Sequence, residues 1–270
     1  MQKFEGTDRY IAEEELLADV NASIILQRPL LVRGEPGTGK TQLAYAVAEA
    51  LGRELITWHI KSTTQAKEGL YTYDVVQRLN DSRFGGGDVS DIRGYIKMGP
   101  LGKAFRAENQ VVLLIDEIDK ADLEFPNDLL RELDEMAFFI PELNETVSAH
   151  NRPIVIITSN AEKELPDAFL RRCLFHYISF PTPERMKDII NAHHPKLETE
   201  LVEAAIGRFY GLRRIDGLRK KPSSSELLDW LLVLARMGVR PEEIANRMPF
   251  LGTLIKKEAD LEQLQRRRRR

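Results

Sequence analysis

Eight consecutive residues, Gly34-Glu35-Pro36-Gly37-Thr38-Gly39-Lys40-Thr41, follow the pattern G-x-x-x-x-G-K-[ST]. Glycines let a backbone wrap an anion without Cβ clashes, and the N–H groups of such a turn and of the helix it opens present partial positive charge. In a loop of this kind Lys40 reaches the β- and γ-phosphates of a nucleoside triphosphate, and the Thr41 hydroxyl ligates Mg²⁺. Two acids, Asp116 and Glu117, close the apolar run that begins at Val111. A carboxylate in the place of Asp116 suits holding the Mg²⁺, and one in the place of Glu117 suits polarising an attacking water. Asn160 ends a second apolar run, 154–160, where its amide can hydrogen-bond a γ-phosphate or that water. A Ser-Asn pair also commonly begins a loop, but its place after a phosphate loop and an acidic strand favours the functional reading. ATP and Mg²⁺ are the cofactors these residues imply.

Residues 167–173, Asp-Ala-Phe-Leu-Arg-Arg-Cys, add two adjacent cations at the end of a short helical pattern. Taken alone, Arg171 and Arg172 fit a solvated helix end, because cations favour a C-terminus.

The elements that position these residues alternate. Strand patterns cover 28–34, 54–60, 110–119, 152–160 and 174–181, and helical spacing covers 10–27, 40–52, 123–139 and 167–173. The runs at 110–119 and 152–160 are continuously apolar, as strands covered on both faces are. This alternation predicts an α/β fold, a parallel sheet sandwiched by helices. The pattern turns wholly helical after Pro181 and Pro183, over 184–193, 199–211, 223–237 and 241–248. We therefore expect a nucleotide-binding domain over 1–180, a small all-α domain over 181–250 and a polar, Arg-rich tail over 251–270. Apolar 138–140, turn-rich 141–151 and apolar 153–157 further predict a β-hairpin at about 137–153.

Composition narrows the class. The 270 residues are 43% hydrophobic and 30% charged, and they contain one cysteine. Such a chain reads as an ordinary globular protein with no disulfide framework, suited to a reducing cytoplasm. No run suits a membrane span, and the polar start does not suit a signal peptide. The net charge is −3, but removing the five arginines 266–270 leaves −8. An acidic body argues against a nucleic-acid partner; the arginine run could touch nucleic acid or acidic surfaces but reads rather as a disordered, solvated end. Cys173 has no Cys or His companion nearby and reads as a buried structural thiol.

Taken in order, GEPGTGKT, LLIDEID, ITSN and AFLRRC followed by a helical segment resemble the AAA+ ATPases, over roughly residues 10–250. Two insertions, 68–105 between the second and third strands and the hairpin before the Asn160 strand, are similar to those of the MoxR family. The resemblance implies Mg²⁺-dependent ATP hydrolysis by a homo-oligomeric ring, a hexamer in such families. It also implies a chaperone-like action on a protein client, with a partner carrying a von Willebrand factor A domain. A motor acting on nucleic acid, or a restriction or defence component, is the alternative. One of Arg171 and Arg172 would then be an arginine finger offered to the neighbouring subunit's γ-phosphate, with Arg172 the first choice. Where MoxR relatives carry a lid arginine in a Ser-Pro-Arg motif, this chain has GLRKKPSSSELL (217–228), which leaves Lys221 or Lys220 as the lid cation.

Overall fold

A computed structural model describes residues 3–268, with side chains to Arg266. By internal contacts the chain divides into two units: one holds the residues up to Thr7, Ala12–Gly34 and Gly39–Ile178, the other Asp8–Ile11, Glu35–Thr38 and the chain from Ser179 on.

The first unit is built on a five-stranded parallel sheet. In chain order its strands are β1 (Leu30–Gly34), β2 (Leu55–His59), then β5 (Val112–Asp116), β8 (Ile154–Ser159) and β9 (Leu174–Ile178). Their spatial order is β2-β5-β8-β1-β9. Every residue of β5 and β8 is buried, which is why both read as unbroken apolar runs rather than alternating ones. Helix α1 (Glu14–Leu26) packs on β1 and β9, and α2 (Lys40–Leu51) on β1, β2, β5 and β8. The α2 helix follows Gly39 at φ 89°, a left-handed conformation that glycine adopts without a Cβ penalty.

Between β2 and β5 the insertion forms α3 (Ala66–Leu70), β3 (Tyr71–Tyr73), α4 (Val75–Phe84), β4 (Ile96–Met98) and α5 (Pro100–Arg106). Strands β3 and β4 pair antiparallel, Tyr71 opposite Met98. The second excursion is the antiparallel pair β6 (Ala137–Ile140) and β7 (Glu145–Ser148). Tyr71 donates its hydroxyl hydrogen to Glu142 at 2.8 Å, and Arg93 pairs with Glu145 at 2.6 Å, so insertion and hairpin are joined. Tyr71 and Phe138 stack with ring centroids 6.1 Å apart.

The helix expected over 123–139 is corrected. It breaks into α6 (Phe125–Asp128) and α7 (Leu130–Glu135), and the chain turns at Met136, φ 51°, into β6. Phe138 and Ile140 then alternate inward as strand residues do. A short helix α8 (Asp167–Leu170) precedes β9.

The second unit packs α9 (Pro183–His193), α10 (Thr199–Arg213), α11 (Ser224–Arg236) and α12 (Pro241–Asn246) around Trp230, Phe209 and Leu231, all 0% exposed. Ser223 and Glu226 form a reciprocal capping box at the start of α11. Within the segment read as a polar, Arg-rich tail, Glu258–Arg268 is a helix, α13, which takes in the first three arginines of the run read as a disordered end. Leu264 joins the core, and Asp260, 1% exposed, accepts the backbone N–H groups of Arg219 and Lys220 at 2.8 and 3.1 Å. Arg269 and Arg270 lie outside the described residues.

Candidate functional site

In the first unit the candidate residues collect at the carboxyl ends of β1, β5 and β8, the edge where open α/β sheets bind ligands. Lys40 is buried and donates from Nζ to the Gly34 carbonyl at 2.8 Å. Thr41 donates its hydroxyl hydrogen to Asp116 Oδ1 at 2.9 Å. From the adjacent strand Thr158, fully buried, donates to the same Oδ1 at 2.8 Å and accepts the backbone N–H of Glu117 at 2.8 Å. One threonine hydroxyl therefore links both acidic positions.

Glu117 has φ 59°, an uncommon left-handed backbone for a side chain of this size. Its Oε1 accepts from Asn160 Nδ2 at 2.9 Å, and its Oε2 pairs with Lys120 Nζ. That hydrogen bond to Glu117 is the largest cause holding the Lys120 ammonium above the usual lysine range. Asp119, 2% exposed, accepts the backbone N–H of Asn160 at 3.1 Å and of Glu162 at 2.9 Å. On the far side, His59 Nδ1 lies 3.2 Å from Asp116 Oδ2.

The Thr41 hydroxyl and the Asp116 carboxylate are hard oxygen donors side by side, a set that suits Mg²⁺. Glu117 and Asn160 in contact place an acceptor for a water proton beside an amide donor. Such an array can position a nucleophile and stabilise charge on a transferring phosphoryl group.

Within the second unit, Gly37 and its neighbours meet helical residues. A Cβ on Gly37 (φ 79°) would lie 2.6 Å from Ser223 Cβ, so the turn tolerates only glycine. The Ser224 hydroxyl donates to the Gly37 carbonyl. Arg213 pairs with Glu35 at 2.6 Å, its guanidinium 3.3 Å from the Phe180 ring centroid. Thr38 donates to the Glu35 carbonyl at 2.9 Å, and Pro36 is exposed.

The matching family model is the ATPase family associated with various cellular activities (AAA), over residues 30–181, more than half of the chain. This chain belongs to the AAA ATPases. Midasin of Dictyostelium discoideum is 28% identical over 190 residues, 67% of this chain and 3% of midasin. Chaperone protein ClpB of Chlamydia trachomatis is 30% identical over 146 residues, 52% of this chain and 15% of ClpB. Lon protease of Metamycoplasma arthritidis is 27% identical over 204 residues, 70% of this chain and 22% of Lon. The AAA ATPase described here thus spans a small part of each of these relatives. Nucleotide binding and ATP hydrolysis go with the family. Among the described residues no helix is long and apolar enough to cross a membrane.

The remaining candidates of this AAA ATPase are the paired arginines and two lysines. Arg172 donates from Nε to Asp134 Oδ2 at 2.6 Å and from Nη1 to the Ala168 carbonyl at 2.8 Å. The Arg171 side chain is exposed and has no hydrogen bond or ion pair among the described residues. Lys220 pairs with Glu226 at 2.9 Å, while Lys221 is exposed. Thr158, Asp119, Lys120 and Arg213 belong to these clusters and were missed by motif reading. Lys120 alone carried a local signal, three residues from Glu117 on the same turn.

Proposed function

We propose that this AAA ATPase works as a ring of identical subunits of the MoxR type, hydrolysing ATP with Mg²⁺ to remodel or activate a protein client. The observation that carries the hydrolytic part is the continuous network Thr41–Asp116–Thr158–Glu117–Asn160. Lys40 and the loop Gly34–Thr41 would hold the triphosphate, with Thr41 and Asp116 on the Mg²⁺. Bound Mg²⁺ neutralises charge developing on the β- and γ-phosphates. Glu117 would accept the proton of the attacking water, and Asn160 would fix the plane of the Glu117 carboxylate and donate toward the γ-phosphate.

Remodelling is supported by the two excursions. The β3–α4–β4 insertion and the β6–β7 hairpin are tied together, and α4 has no buried residue while Val76 is 69% and Phe84 82% exposed. A mixed helix with exposed apolar side chains on a braced mount suits contact with a protein. A partner with a von Willebrand factor A domain remains part of this reading, as does a hexameric ring. Of the paired arginines, the free one, Arg171, is the better finger; this reverses the sequence preference for Arg172, whose guanidinium is engaged by Asp134.

The test is turnover against protein concentration with ATP and Mg²⁺, together with co-purification against a candidate von Willebrand factor A partner in the Glu117→Gln background. Specific activity should rise with concentration as subunits assemble. Concentration-independent turnover would sink the ring. Stimulation by DNA that collapses with salt would favour a nucleic-acid motor instead.

A further inference from the structure

The turn that carries the two arginines is held by a third. Arg28, immediately before Pro29 and β1, donates from Nε to the Arg172 carbonyl at 3.1 Å and from Nη2 to the Arg171 carbonyl. Carbonyls at the end of a helix as short as α8 have no continuing helical partner, and one planar guanidinium satisfies two of them at once. The fork does this from across the sequence, 143 and 144 residues away. Around the same turn Asp134, on α7, takes the Arg172 guanidinium, and Ala168 takes its other edge. Three guanidinium groups thus crowd one turn; two are engaged, and Arg171 is exposed with no side-chain partner among the described residues.

We infer that Arg28 and Asp134 are positioning residues that aim Arg171: Arg28 fixes the backbone from which it projects, and Asp134 keeps Arg172 within its own chain. This rests on the reading above, in which an arginine of this pair reaches a neighbour's γ-phosphate. Aim matters because a cation set about 1 Å out of place can cost ~10²-fold in rate. Lysine at position 28 would keep the charge but not the fork that grips two carbonyls. The Arg172–Asp134 pair is too exposed to matter much for folding, so its function lies in geometry.

The experiment measures kcat, KM for ATP, affinity for a fluorescent ATP analogue and thermal midpoint on the full chain. Arg171→Ala should lower kcat by ~10³-fold or more. Both Arg28→Ala and Arg28→Lys should lower kcat by ~10–100-fold, with KM and analogue affinity unchanged. Asp134→Asn, which should fold normally, should lower kcat by about tenfold, and Asp134→Glu should restore it. Mixing Arg28→Ala with Glu117→Gln should recover turnover, since each chain supplies what its neighbour lacks; a purely structural lesion would not be complemented. If Arg171→Ala is inactive but Arg28→Lys and Asp134→Asn keep kcat within about twofold, the positioning role is overturned while the finger stands. If Arg171→Ala is active and Arg172→Ala is not, the wrong arginine has been assigned and the positioning scheme fails. If neither arginine matters, the trans-acting reading itself fails.

Discussion

Asn160 donates from its amide nitrogen to Oε1 of Glu117 at 2.9 Å, joining the tip of β8 to the end of β5. The residue that would take a proton is therefore aimed by the residue that would touch phosphate. Glu117→Gln keeps the shape and removes the base, so turnover should fall by ~10²–10⁴-fold with ATP affinity intact. Asn160→Ala should lower kcat by ~10²-fold, again without weakening binding. Equal kcat in Glu117→Gln and wild type, measured by phosphate release, would mean another group takes the proton.

Lys40 and Thr41 should separate nucleotide from metal. Lys40→Ala removes a charge-assisted contact and should weaken binding of a fluorescent ATP analogue by ~10–100-fold. Thr41→Val should leave binding of the metal-free analogue nearly unchanged and raise the Mg²⁺ concentration needed for half-maximal turnover. Chelation with EDTA should stop turnover in wild type, and activity that persists in EDTA would refute the proposed Mg²⁺ role.

Arg213 stacks on Phe180, bonds to the Pro222 carbonyl and pairs with Glu35. Its side chain is 10% exposed, whereas Glu35 can return to water when its partner is lost. Arg213→Ala should therefore destabilise by about 1–3 kcal/mol, mostly through the stacking and the carbonyl bond. Glu35→Ala should cost less than about 1 kcal/mol. Denaturant unfolding of both variants checks the order.

Asp260 is the buried acceptor for two backbone donors. Asp260→Ala should lower stability by about 1–3 kcal/mol by stranding them. An unchanged urea midpoint would show that α13 does not brace the turn at Arg219 and Lys220.

Burial pushes the Cys173 thiol up to about 12. The folded protein therefore keeps the inert thiol form through neutral and mildly alkaline pH, so iodoacetamide at pH 8 should label it only after unfolding. An unfolded thiol ionises near about 8.5. Above that pH deprotonation favours the unfolded chain, and this residue's contribution to stability declines as pH rises. Cys173→Ser should flatten that alkaline slope.

Legibility in the sequence followed distance along the chain. Gly34–Thr41 and Asp116–Glu117 carry their chemistry in adjacent residues, and β5 and β8 announce themselves by unbroken apolar runs. The helix read over 123–139 ran too far because Met136 turns the chain in a left-handed conformation that helical spacing cannot register. Helix α13 was hidden for the opposite reason: its composition is polar and arginine-rich, and its order comes from Asp260 and Leu264 meeting residues far away in sequence. Thr158 looked like an ordinary strand residue, and its role depends on which strand lies beside β5. The contrast between Arg171 and Arg172 is likewise a matter of where Asp134 falls.

Asp119 carries a mechanical consequence. Its carboxylate stitches the backbone N–H groups of Asn160 and Glu162 onto the loop that bears Glu117, while Lys163 grips the Ala121 carbonyl of that loop at 2.7 Å. The two strand tips are thereby one lever with two handles. Displacing either tip alone would break these hydrogen bonds, so the amide and the acid are held in one register.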